Sequence, residues 1–145
     1  LMSMYGIGAV VIAPWLAAFG SRIQRSHLLV GSLVGYGCGE ILLASTSFYW
    51  AGIAGIFIVG CAHLVMATTT NTTLQLRVPE PVRGRVMAMY LMVFTIGAPL
   101  GSIIQGPLAD KFGPQAVVLV MGFCFLVAAL ILRISGRSET YNFKD

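Results

Sequence analysis

Charge is what this sequence has least of. Only 10% of its 145 residues are Asp, Glu, Lys or Arg, and five are acidic. A soluble domain carries about 25% charged residues, because its surface must be solvated. The deficit excludes a water-soluble globule, a disordered chain and a nucleic-acid module. Cysteine is scarce too. Cys38, Cys61 and Cys124 each lie inside an apolar run, with no CxxC or Cys/His spacing. That leaves no disulfide framework and no metal site. A secretory leader is not legible, since no basic stretch precedes the first apolar run. The chain starts at Leu1, almost inside a hydrophobic segment, which predicts a piece of a longer protein.

What is abundant is apolar length. Hydrophobic residues make up 57% of the chain, and the mean hydropathy is +0.87. A helix needs about 20 apolar residues to cross a hydrocarbon core of about 30 Å. Residues 1–21, 86–109 and 112–132 are uncharged, and 26–73 carries only Glu40. The last run is too long for one span, and Ser45-Thr46-Ser47 divides it ahead of the aromatic Phe48-Tyr49-Trp50. The pattern predicts an all-α membrane protein with five transmembrane helices at about 3–20, 27–45, 50–74, 86–107 and 114–133. These form a bundle over 1–134, followed by a tail at 135–145. Breaks fall at Gly20-Ser21, Ser45, Pro79 with Pro81, and Gly113-Pro114. Helices are required because lipid offers the backbone no hydrogen bonds. The alternation of a barrel strand is absent.

Basic residues orient the bundle, because loops rich in Lys and Arg stay in the cytoplasm. Arg22, Arg25, Arg77, Arg83, Arg85, Arg133, Arg137 and Lys144 fall on one side, and Lys111 alone on the other. The eight mark the cytoplasmic face and place the C-terminus inside. This accounts for the formal charge of +4 without a nucleic-acid partner; the partner it implies is the lipid bilayer.

Small residues mark helix contacts in lipid, where backbones must approach closely. Gly31, Gly35 and Gly39 form one stripe on the second span. Gly97 and Gly101 flank Pro99 on the fourth, and Pro99 removes a backbone donor. Two readings stay open there: tight packing, or a pliable point in a moving helix.

Few groups can carry chemistry. Glu40 is the only acid within a span, about six residues, so roughly 9 Å, below the outer end of its helix. His63 lies roughly 20 Å beyond Trp50, near mid-membrane. The depth difference argues against a direct pair. An intramembrane carboxylate must be protonated, paired or hydrated, and a His can bind substrate or relay protons. Each also has a packing alternative: a hydrogen-bonded carboxyl, and a neutral buried imidazole. The polar run Thr68 to Thr73, with Asn71 at its centre, either bonds its own helix or lines the inner mouth of a cavity. No catalytic constellation and no nucleotide loop can be assembled, so the sequence implies neither an enzyme nor a cofactor.

From Asn71 onward the motifs become specific. Gln75 precedes a short cytoplasmic loop, followed by Pro79, then Arg83-Gly84-Arg85, then the Gly97 to Gly101 helix, then Gly106-Pro107-Leu108-Ala109-Asp110-Lys111-Phe112-Gly113. This run resembles the end of major facilitator superfamily transporters, and is most similar to the bacterial efflux branch that includes the enterobactin exporter. The resemblance implies that the five spans are helices eight to twelve of twelve. It implies a missing N-terminal half, a substrate cavity between the halves, and export of a small drug-like or siderophore-like molecule from the bacterial inner membrane by proton antiport. It places His63 on a helix beside the cavity and Glu40 on a peripheral one. The departures are local. The loop "AAFGSRIQRSHLL" has Arg22 and Arg25 but lacks the family's Asp, and the better copy of that signature, at Gly106–Gly113, falls on the outer side. From another class, a stand-alone five-span scaffold would also fit the few polar groups.

Overall fold

A computed structural model describes residues 2–45 and 48–142, and the side chains of 2–45 and 48–135. Thr46, Ser47, Arg137 and Lys144, used above for a break and for the charge count, lie outside that description in whole or in side chain. The elements are α1 (Met2–Phe19), α2 (Arg25–Ser45), α3 (Tyr49–Arg77), α4 (Glu80–Phe112) and α5 (Pro114–Asn142). All five are long and apolar enough to cross a membrane. The described backbone is helical with short links, as an uncharged chain in lipid must be.

The packing is made by small residues, while the large ones face outward. Among the described residues, the buried hydrophobics are three alanines, Ala44, Ala62 and Ala129. Glycines bring backbones together between three helix pairs. A Cβ on Gly39 would lie 2.9 Å from the Gly55 carbonyl oxygen, and one on Gly55 would lie 2.8 Å from that of Gly39, which joins α2 to α3. Gly37 and Gly122 join α2 to α5 in the same reciprocal way. Gly8 and Gly60 join α1 to α3, against the carbonyls of Phe57 and Tyr5. The Cys61 thiol adds a hydrogen bond to the Gly8 carbonyl at 3.1 Å.

The expected Gly31–Gly35–Gly39 stripe is therefore uneven. Gly39 is closely approached and Gly35 meets only the Ala62 Cβ at 3.4 Å, while Gly31 has open space around it. Gly37, outside the stripe, is the residue that meets α5. The reason is that α2 is gripped from two sides, by α3 and α5.

α4 is attached loosely. It packs along α5 and touches α3 only slightly, and none of its residues is buried. Gly97 has nothing near it, and Gly101 only the Gln105 side chain of its own helix. The helix runs unbroken through Pro99 and Pro107. At 33 residues it is about 50 Å long, so its charged ends extend past the hydrocarbon. Gly113 stops it, with φ of 85°, a backbone conformation natural to glycine. Pro114 then opens α5.

One sequence reading needs correction. Arg83-Gly84-Arg85 was expected in a loop, but these residues lie in the first turns of α4. Pro81 is tolerated in an opening turn, where a missing N–H costs nothing. Glu80 suits the positive end of the helix dipole. The link to α3 shrinks to Val78 and Pro79. Arg83 reaches back across it, its Nε donating to the Val78 carbonyl at 3.4 Å.

Candidate functional site

The site centres on His63, midway along α3. Helices there are close enough for one imidazole to meet aromatic rings from three others. Tyr5 of α1 lies 5.7 Å away between ring centroids, Tyr36 of α2 6.2 Å and Phe94 of α4 6.1 Å. Tyr36 stacks in turn on Phe125 of α5 at 4.6 Å. The cluster thus draws on all five helices. The close approach of Gly60 to the Tyr5 backbone, one helical turn before His63, sets Tyr5 over the imidazole.

Polar groups are sparse here, and two are unsatisfied. Among the described residues, Glu40 Oε2 and His63 Nδ1 are the buried side-chain polar atoms with no hydrogen-bond partner. A buried polar atom without a partner costs about 1–3 kcal/mol, so proteins keep few of them, and these invite explanation. Glu40 does not hydrogen-bond His63. Tyr36 lies one helical turn from Glu40 on α2 and in ring contact with His63, without a hydrogen bond to either unpaired atom.

Toward the expected cytoplasmic end, α3 and α4 separate into a groove of about 360 Å³. Thr68, Asn71, Thr72 and Gln75 line one wall and Tyr90 and Phe94 the other. Asn71 Oδ1 accepts a hydrogen bond from Gln75 Nε2, one turn on. Thr73 returns its hydroxyl to the Thr69 carbonyl at 2.6 Å, bonding its own helix. Phe94 belongs to both the groove and the His63 cluster, whereas neither His63 nor Glu40 lines the groove. A second cavity, of about 210 Å³, lies between α1, α2 and α3 and is lined by Arg25, Ser21, Thr68, Thr69 and Thr72.

Sequence reasoning missed Tyr5, Tyr36 and Phe94. The Tyr36–Glu40 spacing was a visible signal for one of them; for the other two there was none, because cross-helix neighbours depend on the packing. No group of three or more His, Cys, Asp or Glu that could hold a metal occurs among the described residues.

Residues 1–144 match the family model of the Major Facilitator Superfamily. The chain is 27% identical to the class B tetracycline resistance protein of Escherichia coli, over all of this chain and 35% of that one. It is 27% identical to the multidrug resistance protein MdtG of Enterobacter lignolyticus, over 94% of this chain and 33% of that one. It is 32% identical to the multidrug efflux pump Tap of Mycolicibacterium fortuitum, over 86% of this chain and 31% of that one. The chain thus spans about a third of the length of these curated relatives. No solved structure matches it at a significant level.

Proposed function

The chain belongs to the major facilitator superfamily, and we propose that it is the C-terminal part of a twelve-helix exporter of small organic molecules. The relatives named for tetracycline resistance and multidrug efflux support export and a drug-like substrate. Transport proceeds by alternating access, one helical bundle rocking against the other around a midplane site. The C-terminus is cytoplasmic, in a bacterial inner membrane, as the eight-to-one basic asymmetry supports. The missing half supplies the opposite wall of the cavity.

One observation carries this reading: a half-buried imidazole whose Nδ1 is buried and unpaired, at mid-helix, near an aromatic and amide-lined groove. An unpaired imidazole nitrogen can take up a proton and release it, which is the task of an antiporter's carrier. The groove suits a molecule with an aromatic or apolar body, held by Tyr90 and Phe94, and polar edges that Asn71 and Gln75 can bond. Glu40, whose Oε2 is also buried and unpaired, is a second proton acceptor, on α2.

The test is accumulation in a pump-deficient bacterium expressing the full-length protein. Tetracycline, a cationic dye and a catecholate siderophore form the panel. At least one compound accumulates less than in vector controls, and a protonophore restores its level. Equal accumulation across the panel overturns the reading.

A further inference from the structure

We propose that an anionic phospholipid of the cytoplasmic leaflet seats between α1 and α2, with its phosphate at Arg25 and an acyl chain along Gly31 and Gly35. The inference goes beyond export: it needs only that the bundle stands in a membrane.

α1 and α2 both pack on α3, but among the described residues they do not pack on each other. A gap therefore runs between them, with α3 as its floor. Its character changes with depth. At the expected cytoplasmic end it is the cavity of about 210 Å³, bordered by Ser21, Arg25, Thr68 and Thr72. Deeper, it continues as a trough of about 270 Å³ bordered by Trp15, Gly31, Gly35, Ile58 and Val65. Leu28 borders both, so the polar and the apolar part meet at that residue. Along α3 the two linings run from Thr72 to Ile58, roughly 21 Å. One leaflet of a hydrocarbon core about 30 Å thick is about 15 Å deep. The gap is long enough to hold a headgroup phosphate and the upper part of one chain.

The shallow part suits a phosphate. Arg25 offers a planar fork of donors that matches phosphate oxygens, and Ser21, Thr68 and Thr72 add hydroxyl donors. None of the lining residues is acidic, so the charge of Arg25 is not answered from within the cavity. Arg22, next to Ser21 and held over the Phe19 ring at 6.0 Å, adds a second positive charge at the mouth. Basic pockets between helices at the cytoplasmic face attract acidic headgroups.

The deeper part suits a chain. Ser32 and Cys61 on its walls are committed elsewhere: the Ser32 hydroxyl donates to the Leu29 carbonyl at 2.8 Å, and the Cys61 thiol to the Gly8 carbonyl at 3.1 Å. Here the uneven glycine stripe of α2 finds a use. Gly39 is closed on by α3, but a Cβ on Gly31 would meet nothing within 4 Å, and one on Gly35 only the Ala62 Cβ at 3.4 Å. Two glycines that make no close helix contact leave a smooth wall. An empty apolar trough forfeits dispersion contacts, and an acyl chain restores them. A free phosphate would use the shallow part alone, so the two parts together select a lipid.

The experiment uses delipidated full-length protein in detergent. Binding of dioleoyl phosphatidylglycerol and of dioleoyl phosphatidylcholine is measured by native mass spectrometry in wild type, Arg25→Gln, Arg85→Gln and Gly31→Leu. Wild type is expected to hold the anionic lipid about fivefold more tightly than the zwitterionic one, and Arg25→Gln to remove that preference. Arg85→Gln, an equal loss of charge at the start of α4, keeps it. Gly31→Leu fills the trough and weakens both lipids. Its Cβ enters open space, so helix packing is kept, and thermal unfolding checks this. Arg25→Gln, at an exposed position, decides the matter if Gly31→Leu does not fold. Phosphatidylglycerol brominated in mid-chain should quench the part of the tryptophan emission that Trp15→Phe removes. Thr68 and Thr72 also border the α3–α4 groove, whereas Arg25 and Gly31 do not, so these variants leave that groove intact. The proposal is overturned if wild type shows no preference for phosphatidylglycerol, if Arg25→Gln retains it, or if Arg85→Gln abolishes it as completely. It is also overturned if glycerol 3-phosphate displaces the lipid, which would mark a site for free phosphate, or if Trp15 is not quenched, as when another segment of the full chain fills the gap. Lipid binding needs no transport. A protein that exports nothing would defeat the exporter reading and leave this one standing, and an exporter that holds no lipid at Arg25 would do the reverse.

Discussion

Gly37 and Gly122 face each other across α2 and α5 with no room for a side chain on either. A Cβ on Gly37 would lie 2.7 Å from the Gly122 carbonyl oxygen, and one on Gly122 would lie 3.0 Å from that of Gly37. The crowding comes from backbone, which cannot rotate aside, and from the Leu126 and Ile41 side chains, each 2.8 Å from such a Cβ. Gly122→Val is therefore expected to part the two helices, at a cost of about 1–3 kcal/mol. In the full-length protein the check is a lowered unfolding midpoint in detergent. An unchanged midpoint would mean that α2 and α5 do not meet there.

The three-glycine stripe on α2 divides by environment. Gly31→Ala places its methyl in open space and gains about 0.5–1 kcal/mol of helix propensity. Gly39→Ala drives a methyl to within 2.9 Å of the Gly55 carbonyl and 2.8 Å of a Val59 methyl. Thermal unfolding of the pair is expected to show Gly31→Ala at or above wild type and Gly39→Ala clearly below it. Equal effects would contradict the contact map of α2.

Helix number and class were legible because hydropathy alone specifies them. Runs without charge must span as helices, and Glu40 does not break its run because one carboxyl in a 21-residue helix is tolerated. The fate of Arg83 and Arg85 was not legible, since charge marks the membrane's edge and not the helix's end. His63, Asn71 and Glu40 stand out as polar letters in apolar text. Which of them share a neighbourhood was hidden. That depends on Gly37, Gly39, Gly55 and Gly60 setting how closely the helices approach, and spacing along one helix carries no register between two. Tyr5 and Phe94 were invisible for the same reason, because an aromatic in a span reads as lipid-facing until its neighbours are known; Tyr36 alone had a signal, its one-turn spacing to Glu40.

Orientation is testable with single cysteines in a background lacking Cys38, Cys61 and Cys124. The basic asymmetry places the link between α4 and α5 outside and the start of α2 inside. A cysteine replacing Gln115 should react with an impermeant thiol reagent added to intact cells. One replacing Ser26 should react only after permeabilisation. The reverse pattern would invert the bundle and move the Asn71 groove to the outer side.

The proton-carrying role proposed for His63 is decided by reconstituting the full-length protein in proteoliposomes and imposing a pH gradient. Flux of a substrate found in the accumulation panel is then compared among wild type, His63→Ala and His27→Ala. His27, at the start of α2 and outside the aromatic cluster, controls for loss of a histidine as such. At matched protein levels, His63→Ala is expected to lower gradient-driven flux at least tenfold, about 1.4 kcal/mol in the rate-limiting barrier, while His27→Ala stays within twofold of wild type. Equal flux in His63→Ala and wild type would remove His63 from the proton path.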